Sequence, residues 1–155
     1  MEHHYALTVT WTGNTGAGTA TYRGYRREHT VRADGPPDLL GSADRTFHCD
    51  RGRWNPEQLL LASLAQCHLM SYLHVCVDAG VVVTEYVDHP TGAMTTEADG
   101  SGRFTEVVLR PEVTVADESM VEPALQAHRR ANELCFIANS VNFPVRHESA
   151  VTSAG

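Results

Sequence analysis

Four cysteines carry the reactive potential of this chain: Cys49, Cys67, Cys76 and Cys135. A thiolate is a nucleophile, a redox centre or a metal ligand, so what each sulfur can do depends on its surroundings. Cys67 lies in Asn55-Pro56-Glu57-Gln58-Leu59-Leu60-Leu61-Ala62-Ser63-Leu64-Ala65-Gln66-Cys67-His68, and Cys135 in Glu133-Leu134-Cys135-Phe136-Ile137-Ala138-Asn139-Ser140. Cys67 and Cys76 fall on one predicted helix, about 13 Å apart along its axis and about 180° around it, so their sulfurs cannot meet. Cys76, among Leu73, Val75 and Val77, has the context of a small core residue. Cys49 lies in His48-Cys49-Asp50, where no basic neighbour favours its thiolate. For Cys67, a buried structural thiol and a reactive one are both open on these grounds.

The elements that position these residues are legible in outline. Residues 5–11 alternate with period two, and β-rich stretches at 19–25 and 29–33 extend this into an antiparallel meander. Asp34-Gly35-Pro36-Pro37 ends it, and the chain up to Trp54 reads as a loop. Asn55 is an N-cap, Pro56 suits the first helical position and Glu57 suits the positive end of the dipole. This helix ends near Ala79-Gly80. Strands follow at 81–87, 92–97 and 104–115, with Asp99-Gly100-Ser101-Gly102 as a turn. A second helix spans about 118–133, with Pro123 tolerated in its first turn. A short strand starts at Val145, and 150–155 are expected to fray. The whole, residues 1–155, reads as one α+β domain of antiparallel sheets with a long central helix and a second helix.

Composition narrows the function. A chain of 155 residues with 42% hydrophobic content can bury a core. Its formal charge of -7, with no basic run longer than Arg26-Arg27 or Arg129-Arg130, argues against nucleic acid or an anionic membrane as partner. The start, Met1-Glu2-His3-His4-Tyr5, lacks the pattern of a secretory signal, and no apolar run approaches the ~18 residues that span a bilayer. A cytoplasmic location is expected, where cysteines are seldom a static disulfide frame. The nine histidines suggest no metal site: His68 and His74 lie about 120° apart on a helix, and CxxC and HExxH spacings are missing. Nor can Cys67 and His68 form a dyad, since consecutive helical residues diverge by about 100°.

The two cysteine segments, in this order and spacing, resemble the osmotically inducible protein C family, the OsmC/Ohr thiol peroxidases. The resemblance runs from Trp11-Thr12-Gly13-Asn14 to Asn142-Phe143-Pro144-Val145. It implies that Cys67 and Cys135 are a redox pair and that Glu57, with an arginine near the first hairpin, holds the Cys67 thiolate. The helix dipole cannot do this, because Cys67 lies about 16 Å from the helix start and the effect fades within a turn. The expected hairpin position reads Gly13-Asn14-Thr15-Gly16-Ala17-Gly18-Thr19 and has no arginine; Arg26 and Arg53 are the substitutes.

Glu57 and Cys67 stand about 15 Å apart on a straight helix, too far to share a site within one subunit. Glu57, Leu60, Leu64, Cys67, Ser71 and His74 follow a 3-4-3-4-3 spacing, a single stripe. Two such helices packed antiparallel about a two-fold axis near residue 62 would set Leu60 against the partner's Leu64 and Glu57 against the partner's Cys67. A homodimer with two composite sites is therefore expected, as the family's intertwined dimers also imply.

The reading is a peroxidase without haem, flavin, metal or other cofactor. The Cys67 thiolate attacks a hydroperoxide, becomes a sulfenic acid and is resolved by Cys135 to a disulfide, which an external dithiol resets. The resemblance implies a lipoylated protein or small dithiol as that reductant. Leu60, Leu64, Met70 and Phe136 favour organic hydroperoxides over hydrogen peroxide. The alternatives are a thiol protein of this fold with a ligand-binding or regulatory role and little turnover, and a structural dimer with inert cysteines.

Overall fold

The helix that bears Cys67 is fixed by its own first turn. In the computed structural model, which describes all 155 residues, the Gln58 N–H donates to Asn55 Oδ1 at 2.7 Å and the Asn55 N–H donates to Gln58 Oε1 at 3.2 Å. This reciprocal pair satisfies donors that a helix start leaves open. Helix α1 then runs Pro56–Asp78. Gly80, at φ +69°, ends it in a left-handed conformation that a side chain would strain.

The chain divides into two compact units, residues 1–60 and 61–155, with the boundary inside α1. In the first, β1 (Thr8–Trp11), β2 (His29–Arg32) and β3 (Leu39–Gly41) form an antiparallel sheet in the order β1-β2-β3. The expected strand at 19–25 is a run of turns and bends. Gly16 and Gly18 take positive φ just before it, and the Arg27 guanidinium stands over the Tyr22 and Tyr25 rings at 4.5 and 4.2 Å while donating to both carbonyls at 2.7 Å. Those carbonyls are thus taken by a side chain rather than by a neighbouring strand. β3 arises where a loop was expected; its pairing continues as Trp54 N–H donates to the Leu40 carbonyl.

The second unit holds β4 (Val83–Asp88), β5 (Thr91–Thr96), β6 (Gly102–Leu109), β7 (Pro111–Val115), α2 (Val121–Leu134), β8 (Val145–His147) and β9 (Ala150–Ser153). Its two sheets have the orders β4-β7-β9 and β5-β6-β8. The single run expected at 104–115 is two strands broken at Arg110, whose N–H leaves the ladder for Asp88 Oδ1 at 2.7 Å. The segment expected to fray is β9, parallel to β7, because its backbone completes an otherwise open sheet edge. Sequence period alone does not reveal such a distant pairing.

The buried residues of α1 are Leu64, His68, Tyr72 and Cys76, spaced by four. This corrects the stripe read from sequence: Leu64 is fully buried within the chain and cannot face a partner, and His74 is exposed. Tyr72 and Cys76 join Val81, Val113, Val115, Ala124, Ala127 and Ala131 in the core. Alanines on the inner face of α2 allow close approach. Elsewhere α1 is apolar yet uncovered. By length and composition α1 is apolar enough to cross a bilayer, and little of it is buried, so the expectation that no apolar run reaches such a length is amended. Met70, Leu73 and Val77 form the exposed stripe.

Candidate active site

Two side-chain ties bind α1 to α2. The Tyr72 hydroxyl donates to the Ala124 carbonyl at 3.1 Å, and His68 Nε2 meets His128 Nδ1 at 3.0 Å. Four residues down α1 match four residues up α2, so the helices run antiparallel. A further tie lies where α2 ends. Cys135 takes φ -71° and ψ 108°, leaving the helix, and the 3₁₀ turn Ala138–Ser140 follows. The exit is held by the Asn139 N–H on the Cys135 carbonyl at 3.0 Å and the Ala138 N–H on Cys135 Sγ at 3.5 Å.

There Cys135 and Cys67 lie near each other as free thiols, close enough for the Cys67 sulfur to act on the titration of Cys135. Burial pushes the Cys135 thiol up to about 11; the Ala138 N–H opposes this and the Cys67 sulfur adds to it. At neutral pH Cys135 therefore keeps its proton. The two sulfurs differ in access: Cys135 is buried and Cys67 is half-buried. A small oxidant can reach Cys67, while its neighbour is shielded.

The other expected site residues lie in the first unit. Glu57, in the first turn of α1, has Oε2 buried without a hydrogen-bond partner, which an unmatched carboxylate oxygen tolerates only at a cost. Arg26 and Arg53 line one cavity of about 340 Å³ with Glu28 and Asp50. Arg53 Nε pairs with Asp50 at 3.4 Å. The Arg26 N–H donates to the Gly13 carbonyl at 2.9 Å, and a Cβ on Gly13 would overlap the Arg26 carbonyl. Arg26 thus stands opposite the hairpin position where the arginine was sought, although 13 residues separate them in sequence.

Cys76 is a core residue, as read, and burial raises its thiol. Cys49 differs from its local reading, since it shares a cavity with Arg23, Arg26 and Arg27. Those cations come from a distant segment and leave no mark in His48-Cys49-Asp50. Of the apolar residues expected to shape the substrate, Leu64 is buried, while Met70 and Phe136 are exposed.

A buried polar group also escaped the sequence reading. His147 Nε2 meets His68 Nδ1 at 3.2 Å, so His147, His68 and His128 form a chain. His68 uses opposite ring nitrogens for its two partners, which sets the rings in a line instead of around one point. The Tyr72 ring stacks on His128 at 4.0 Å. His68 could be placed in sequence by its step of four from Leu64 and Tyr72; nothing local marks His128 or His147.

A profile described as OsmC-like protein matches residues 48–149, about two-thirds of the chain and including both cysteine segments. The chain belongs to the OsmC-like family. No curated protein is a significant match. Among solved structures, an OsmC-like protein of unknown function from Vibrio cholerae O1 biovar eltor is 29% identical, with a TM-score of 0.83 over 96% of this chain and 99% of that one. An organic hydroperoxide resistance protein from Elizabethkingia anophelis is 18% identical, TM-score 0.68, over 99% of each chain. One from Legionella pneumophila is 18% identical, TM-score 0.70, over 97% of each. At that identity these last two attest the OsmC-like α+β fold alone.

Proposed function

We propose that this OsmC-like chain is a cysteine-based peroxidase for organic hydroperoxides. The observation that carries the reading is the nearness of a reachable Cys67 to a shielded Cys135. The reactive species is the Cys67 thiolate. It attacks the distal oxygen, the O–O bond breaks, and the alkoxide takes a proton and leaves as alcohol. Cys67 is then a sulfenic acid. Cys135 attacks its sulfur, water leaves, and a disulfide results. Two thiols of an external dithiol, a lipoylated protein or a small molecule, return both cysteines to thiols and become a disulfide themselves. Exposed Met70 and Phe136 favour a peroxide with an apolar tail, and the proposed location is cytoplasmic.

Intact mass after one equivalent of organic hydroperoxide tests this. Wild type is expected to lose two hydrogens, with Cys67 and Cys135 joined in the peptide map. A gain of one oxygen with no disulfide, or no change, would point to a ligand-binding or regulatory thiol protein instead.

The site we propose is completed by a second copy of the chain. The uncovered apolar stripe of α1 supports this, because an apolar helix exposed over Met70, Leu73 and Val77 gains from burial against a like surface. With Leu64 internal, the contact is drawn toward that stripe and away from residue 62. Glu57 and either Arg26 or Arg53 would then act on the partner's Cys67. Mixing Glu57→Ala with Cys67→Ser by joint refolding should restore activity toward about half of wild type, because one site of the heterodimer is intact. If tag-separated heterodimers gain nothing over the parents, the cross-subunit arrangement is wrong and Glu57 is a helix-start charge that only stabilises the fold.

A further inference from the structure

The histidine chain has a direction. Each of its two contacts, His128 Nδ1 to His68 Nε2 and His68 Nδ1 to His147 Nε2, needs one hydrogen, and each neutral ring carries one. Two arrangements satisfy both contacts. In the first, His147 and His68 donate from Nε2, and His128 must carry its hydrogen on its own Nε2. In the second all three carry it on Nδ1, so His128 donates to His68 and His68 donates to His147. The two differ at the chain's inner end. His128 is only 4% exposed, and its Nε2 is buried with no partner. A buried N–H without an acceptor costs more than a lone pair without a donor. The second arrangement therefore prevails, and it leaves the one unplaced N–H on His147 Nδ1, on the least buried of the three rings.

The chain also has a mechanical place. His68 follows Cys67 directly on α1, and His128 lies two turns before Cys135 on α2. The histidine contact is the cross-link between these helices nearest in sequence to the cysteines; the Tyr72 tie lies farther along α1. Core alanines on α2 offer little interlocking shape to set the helices' mutual rotation or slide, whereas a directional N–H···N bond does.

We propose that His68 and His128 are positioning residues for the Cys67–Cys135 pair: their all-Nδ1–H chain, continued to His147, fixes α1 against α2 in the setting that brings the two sulfurs together. The inference rests on the reading that these cysteines form a disulfide, and it specifies what makes that closure favourable. If it is right, cutting the chain lowers the effective concentration of one sulfur at the other, even in protein that remains folded.

Exchange with glutathione measures this without any peroxide. The reduced pair gives up two electrons and two protons to oxidised glutathione, yielding the protein disulfide and two reduced glutathiones. His128→Leu is expected to lower that equilibrium constant about tenfold, as loss of one oriented hydrogen bond would. His128→Asn, whose amide N–H reaches the Nδ1 position, should recover most of it. Val115→Ala, a core truncation that removes no hydrogen bond of the chain, should lose stability and leave the constant unchanged. In parallel, 15N spectra of histidine-labelled wild type at neutral pH should show three Nδ1–H rings. An Nε2–H signal at His68 or His128 would overturn the direction of the chain, and equal constants for wild type and a folded His128→Leu would overturn the positioning role. A wild type that forms no Cys67–Cys135 disulfide in this buffer would remove the functional reading on which the proposal stands.

Discussion

Cys67→Ser is expected to abolish hydroperoxide consumption, whereas Cys135→Ser consumes one equivalent and stops. The serine hydroxyl has nearly the same size but stays protonated, so no nucleophile remains to attack the O–O bond. Removing the attacking group of a covalent mechanism costs on the order of a thousandfold or more. In Cys135→Ser the first step is intact, since Cys67 keeps its access, and the sulfenic acid persists for want of a neighbouring thiol. A sulfenic-acid reagent should label Cys67 in that variant and not in wild type. Cys76→Ser should stay active with reduced stability, because it places a hydroxyl in the core. Steady-state turnover by Cys67→Ser would end the peroxidase reading.

The second large effect is acid destabilisation. Burial, then the neighbouring His147 and His128, pushes His68 down to about 3; burial, then His147, pushes His128 to about 4; burial also lowers His147. These rings are neutral when folded, while the unfolded chain takes up protons near pH 6.5. Between those values the unfolded state binds more protons, so stability rises with pH. It is complete above about pH 6.5 and declines as pH falls toward about 3. Asp88 opposes this: burial raises its carboxyl, and the folded state takes up a proton there first. It is one group against three. Tyr72 and Tyr86, also raised by burial, matter only in alkali. From neutrality to pH 5, His68 alone accounts for about 2 kcal/mol, a sizeable share of a typical domain's 5–15 kcal/mol. Urea midpoints at pH 7.5, 6 and 5 measure it, and equal midpoints would mean that the rings are solvated.

The residues that sequence placed well are those whose neighbours in space are neighbours in sequence. Asn55 and Gln58 cap α1 within one turn, and Cys67 takes its place from that helix. Cys135 was found through the family motif and meets Cys67 across 68 residues. What local pattern could not yield depends on distant pairing: β9 on β7, β3 on β2, Arg26 against Gly13, and His128 and His147 on His68. The stripe on α1 failed for a related reason. A helix with apolar residues on several faces offers several acceptable stripes, and only the tertiary fold shows that the one through Leu64, His68, Tyr72 and Cys76 faces inward.

The pairings of β8 and β9 also bear on how the chain is made. β8 completes the sheet of β5 and β6, and β9, a few residues later, completes that of β4 and β7. During synthesis both sheets of the second unit stay two-stranded, with an edge open, until residues 145–153 leave the ribosome. Cys67 and Cys135 have both emerged before then. Cys67 and Cys135 can therefore meet while the sheets of the second unit are unfinished, and the same interval, with two bare strand edges on a nascent chain, is when this protein is most open to aggregation.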